Sequence, residues 1–130
     1  MIDEFVRDWI AKALDDLKVA AHIMNMPEGE VVSWAVCFHC QQAVEKLLKA
    51  YLSSKNIDFK RTHDLKYLLQ LCADEDPEFG GVEVGDLSSY ATIARYPGLS
   101  YEPTLEDAGE CLRIATAVKE FVLRKLGLSS

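Results

Sequence analysis

Pro27, Pro77, Pro97 and Pro103 all fall between stretches of regular apolar spacing and never inside one. A residue without an N–H is tolerated at the ends of helices and expelled from their interiors, so the four prolines mark where helices must stop. From Asp3 to about Asn25, Val6, Trp9, Ile10, Ala13, Leu17, Ala20 and Met24 recur at steps of three and four, which buries one side of a first helix. From about Val31 to Lys55, Val36, Cys40, Ala43, Val44, Leu47, Tyr51 and Leu52 repeat the pattern, while His39, Gln42, Lys46 and Lys49 share a polar face. This second helix is the longest.

Thr62 is the expected N-cap of a shorter helix carrying Leu65, Leu68, Leu69 and Cys72, because its hydroxyl can accept an unpaired N–H at a helix start. Residues 74–85 hold three consecutive acids and three glycines and read as an exposed acidic loop, followed by a short helix from about Asp86 to Arg95. Thr104 and Asp107 form a shortened capping box at the head of a last helix with Leu105, Ala108, Leu112, Ala115, Val118 and Val122 on one side. That helix closes on Arg124, Lys125 and Gly127, a basic last turn and a stop. The expected fold is all-α, one domain over residues 1–130, an antiparallel up-down bundle of three long and two shorter helices. A second apolar row on the last helix, Ile114, Ala117 and Phe121, calls for cover from either the short helices or a second copy of the chain.

Fourteen Lys and Arg against twenty-one Asp and Glu leave a net charge of −7, which argues against binding of duplex DNA. The charge is uneven: between Glu45 and Lys66 cations outnumber acids, whereas from Asp74 to Glu110 ten acids face only Arg95. No apolar run approaches the roughly 18 residues a membrane span needs, and an acidic start is unlike a secretory signal, so a cytoplasmic location is expected. Cys37 and Cys40 have the C-x-x-C spacing of metal and redox sites, but they sit in mid-helix without a second ligand pair. They read as small core residues, and neither metal nor cofactor is expected. Phosphate-loop and dinucleotide fingerprints are absent.

The run from Arg95 to Glu102 places one guanidinium close to Tyr96 and Tyr101. Arg95 there suits the negative end of a helix; equally, a guanidinium fork flanked by phenols can recognise phosphate and stack a base.

The chain resembles the HEPN domain family. The resemblance rests on Ala13, Asp16 and Leu17; on the run His39 to Lys46 with Lys49 and Ala50; on Arg61 to Leu65; and on Ala94 to Pro97. It implies a helical bundle that often forms homodimers, and frequent pairing with a minimal nucleotidyltransferase protein in a toxin–antitoxin arrangement. Many members resemble metal-independent ribonucleases built on R-x4–6-H, in which His exchanges protons and Arg stabilises phosphate charge. Here Arg95 fits, but Ser100, Tyr101 and Glu102 stand where the His would fall. The leading expectation is a binding module for a nucleotide or the nucleotidyltransferase, with RNA as a further candidate partner. Its candidate residues are Arg95, Tyr96 and Tyr101, faced by His39, Gln42 and Lys46. The alternatives are an active ribonuclease and a helical adaptor without a ligand.

Overall fold

Asp3 starts the first helix by accepting the Val6 N–H at 2.9 Å, and α1 runs Glu4–Met24 with Val6, Ile10, Ala13, Leu17 and Ala20 buried. These and the features below come from a computed structural model that describes residues 2–91 and 102–128. Arg95, Tyr96 and Tyr101 lie outside the described residues.

Helix α2 (Ser33–Ser54) is the centre of the molecule. It packs against α1, against α3 (Leu65–Glu75) and against α4 (Leu105–Lys125), so apolar residues on several of its sides are buried rather than one stripe alone. Asp16 of α1 meets His39 and Lys46, while Trp9 meets Lys49, so numbers rise along α1 as they fall along α2 and the two helices are antiparallel. Val6 and Ile10 cluster with Leu123, and Met24 lies beside Gly109, which makes α1 antiparallel to α4 as well. The described residues contain no strand, and none of their helices is long and apolar enough to cross a membrane.

Helix ends follow local chemistry. The capping box of α4 is present in full: Asp107 N–H donates to Thr104 Oγ1 at 3.0 Å and Thr104 N–H to Asp107 Oδ2 at 2.9 Å. Thr104→Ala is expected to cost about 1 kcal/mol, read as a shift in urea midpoint at constant slope. At the other end Gly127 takes φ +76°, and Leu128 N–H reaches back to Leu123 C=O at 2.8 Å. Asn56 closes α2 the same way, with φ +57° and Ile57 N–H on Leu52 C=O at 2.9 Å.

Three expectations change. The N-cap of α3 is Asp64, not Thr62: its carboxylate accepts the Lys66 and Tyr67 N–H groups at 3.1 and 3.2 Å, and Thr62 Oγ1 accepts only the Asp64 N–H. Burial of Leu65, Leu68 and Cys72 starts the first turn at Leu65, and a carboxylate suits the positive helix end better than a hydroxyl. Residues 74–85 expose Asp74, Glu75, Glu78 and Glu83 but are not a loose loop: Asp76 is half-buried, and Asp74 and Glu75 end α3. Pro77–Gly81 forms a 3-10 turn whose Phe79 is fully buried between Tyr51 and Phe121, with ring centroids 4.5 and 4.9 Å apart. Lys125 holds the turn by bonding Asp76 at 2.7 Å and Glu78. Last, the described part of the expected helix from Asp86 is a 3-10 turn, Leu87–Tyr90.

The turns also cover part of the second apolar row of α4. Phe121 meets Phe79 edge to face, Ile114 lies against the backbone at Gly85, and both are half-buried; Ala117 alone of that row is exposed.

Candidate functional site

Two carboxylates organise the polar side of α2. Asp16, on the shoulder of the apolar stripe of α1, lies 2.9 Å from His39 Nδ1 and accepts Lys46 Nζ at 2.5 Å. All three side chains retain some access to water, from 12% for Asp16 to 29% for His39. A carboxylate at Nδ1 orients the ring and leaves Nε2 as the nitrogen available to a ligand. The ammonium of Lys46, one helical turn from Gln42, adds a donor on the same face.

The second carboxylate is Glu45, which is 4% exposed. It accepts Lys49 Nζ at 2.8 Å and the Gln41 amide at 3.2 Å, and lies 2.7 Å from His63 Nδ1. Burial alone would raise its pKa, but the hydrogen bonds from Lys49, His63 and Gln41 outweigh that and hold it below the ordinary carboxylate value. Lys49 is nearly as buried and sits beneath the rings of Trp9 and Phe59, 5.6 and 5.7 Å from their centroids. Gln41 also donates to the His63 carbonyl at 3.3 Å and accepts from the Gln42 amide at 2.7 Å. Gln42 thereby joins the face it shares with His39 and Lys46 to the buried cluster.

Of the six candidate residues, His39, Gln42 and Lys46 share a partly exposed strip of α2; Arg95, Tyr96 and Tyr101 are outside the described residues. Reading of side-chain character alone missed the organising roles of Asp16, Glu45 and His63. The signal available for two of them was an acid embedded in an apolar stripe, Asp16 beside Leu17 and Glu45 beside Val44, because an unpaired buried charge is not tolerated.

Cys37, Cys40, Cys72 and Cys111 are all buried. Burial pushes the Cys40 and Cys72 thiols up to about 12, and a hydrogen bond to Cys111 together with burial pushes Cys37 up. Such thiols are packing residues with little thiolate to offer. Among the described residues no three His, Cys, Asp or Glu side chains converge on a metal position.

The model of the HEPN domain family matches residues 6–126. The chain belongs to the HEPN domain family. Its fold is similar to the crystal structure of an archaeal HEPN homologue, at 28% identity and a TM-score of 0.65, over 92% of this chain and 96% of that one. No curated protein matches the sequence. In this HEPN domain, sequence runs far apart along the chain become bonding partners: Asp16 with His39 and Lys46, and Glu45 with His63. Their separation in sequence hides a single polar layer along α2.

Proposed function

We propose that this HEPN domain is a homodimeric, cytoplasmic binding module that takes a nucleotide, either free or presented by a minimal nucleotidyltransferase partner in a toxin–antitoxin pair. The observation that carries the reading is the Asp16-centred pair of His39 and Lys46. It presents on a partly exposed strip an ammonium, a donor suited to phosphate oxygens, beside an oriented imidazole whose Nε2 can accept from a ligand N–H or O–H. Gln42 supplies an amide next to them, able to read a polar edge of a base. The turn Leu87–Tyr90 meets the start of α3, where Ser88 Oγ accepts the Leu65 N–H at 2.9 Å; Arg95 is included from the sequence and the family resemblance. In this reading Arg95 supplies the phosphate fork, and Tyr96 and Tyr101 supply ring faces for the base.

Calorimetric titration with ATP tests this. Lys46→Ala and Arg95→Ala are each expected to weaken binding by about tenfold or more, the loss of a hydrogen bond to a charged group. A melting curve checks that Lys46→Ala keeps its fold with Asp16 still held by His39. If wild type binds neither ATP nor a nucleotidyltransferase, or if both variants bind as wild type does, the reading is wrong.

A further inference from the structure

The antiparallel register that joins Asp16 to His39 sets the start of α1 beside the last turn of α2. Past that turn the chain reverses. Asn56 takes φ +57°, and the segment after it runs back along α2, so that Phe59 lies over the Lys49 ammonium and His63 reaches Glu45. The returning segment and the head of α1 leave between them a groove of about 340 Å³, lined by Asp3, Phe5, Ser53, Asn56, Asp58 and Phe59. Its size is at the low end for a ligand pocket and suits one small group.

The groove combines acids with rings. Asp3 accepts the Val6 N–H through Oδ1 and keeps Oδ2, while the Asp58 carboxylate is exposed and has no ion pair or hydrogen bond among the described residues. Phe5 leaves 61% of its surface in water, the most of any large apolar side chain described, and its ring meets Trp9 edge-on at 6.0 Å. Cations close in sequence are engaged elsewhere: Lys49 by Glu45, Lys55 over the ring of Tyr51 and Lys60 over that of Tyr67. Phe59 itself already serves a cation from within, the Lys49 ammonium 5.7 Å from its centroid.

Two carboxylates repel a phosphate and attract a cation. An ammonium offers three donors around one point, whereas a guanidinium presents a planar fork of five that pairs with carboxylates and lies flat on a ring. Ser53 and Asn56 add neutral oxygens for the N–H groups that the acids leave over. We infer that this groove is a binding site for a guanidinium group, with Asp58 and Asp3 Oδ2 neutralising it, Phe5 and Phe59 giving ring surface, and Ser53 and Asn56 completing its hydrogen bonds. The site lies beyond the C-terminal end of α2, apart from the strip of His39, Gln42 and Lys46, and it stands or falls independently of the function proposed above.

Amide NMR titration of the whole chain with an end-blocked alanine–arginine–alanine tripeptide at low ionic strength tests this. A dissociation constant of about 1 mM or tighter is expected, with shifts concentrated at Phe5 and from Asn56 to Phe59. Asp58→Asn is expected to weaken binding at least about fivefold and Phe5→Ala about threefold. Both positions are exposed, and circular dichroism confirms that the variants fold. Asp8→Asn, which removes an exposed acid of α1 outside the groove, is expected to leave binding unchanged. The corresponding lysine tripeptide is expected to bind at least about threefold more weakly than the arginine one. Methylguanidine separates the two sources of the group: equal affinity assigns the groove to a small guanidine, and a tripeptide at least about fivefold tighter assigns it to an arginine of a partner protein. Absence of shifts at the groove, indifference to both groove variants, an equal loss with Asp8→Asn, or lysine bound as tightly as arginine overturns the inference and leaves the nucleotide reading untouched.

Discussion

Glu45→Ala is expected to cost about 3–5 kcal/mol of stability, because it leaves the Lys49 ammonium buried without its counter-charge. Lys49 has no exit: its side chain is 8% exposed and is capped by the rings of Trp9 and Phe59. The same change also removes the acceptor for Gln41 and the partner of His63, so it loosens the segment between α2 and α3. Urea unfolding measures the loss, and the paired change Glu45→Leu with Lys49→Met is expected to recover most of it, since a buried ion pair replaced as a unit leaves no orphan. If Glu45→Ala loses less than about 1 kcal/mol, the pair is not the buried anchor described here.

The same carboxylate predicts the acid limb of the stability profile. Its folded pKa is depressed, so its contribution is fully present above the unfolded value of about 4.3 and is lost as pH falls through the lower folded value. Wild type is therefore expected to lose stability more steeply than Glu45→Gln below about pH 4.3. Matching slopes would remove Glu45 from the acid response.

Phe79→Ala is expected to cost a further about 3–5 kcal/mol, the transfer loss of a buried ring plus the cavity it leaves. The ring has no exposed surface and bridges Tyr51 of α2 to Phe121 of α4, so its removal unseats the turn that covers α4. The effect is expected to be local as well as global, with amide hydrogens of Phe79 and Val82, which bond within this segment, exchanging faster than those of α1. Phe79→Leu keeps much of the apolar volume and is expected to lose clearly less. Equal protection of the segment in wild type and Phe79→Ala would show that the ring does not anchor it.

Phe79 also shows where reading along the chain runs out. It is a lone aromatic among acids and glycines, with no periodic neighbour to mark it as buried, and a run such as 74–85 reads as loop on local grounds. The N-cap of α3 is a smaller instance. Thr62 and Asp64 are both good caps, and the choice between them was made by which leucines face α2, a fact about packing.

The helices themselves were legible, since apolar spacing, caps and stops are properties of neighbouring residues: the capping box at Thr104 and Asp107 and the Gly127 stop sit where the local pattern puts them. The polar residues of α2 were legible as a face for the same reason. What holds that face was not. Asp16 reaches Lys46 across 30 positions and Glu45 reaches His63 across 18. The first exists because α1 and α2 lie antiparallel in one register, and the second because the segment before α3 lies against α2; a shift of one turn would break either while leaving every local signal intact. Local energetics determined the rods and their ends; only burial of their apolar faces against one another decided which charges would meet.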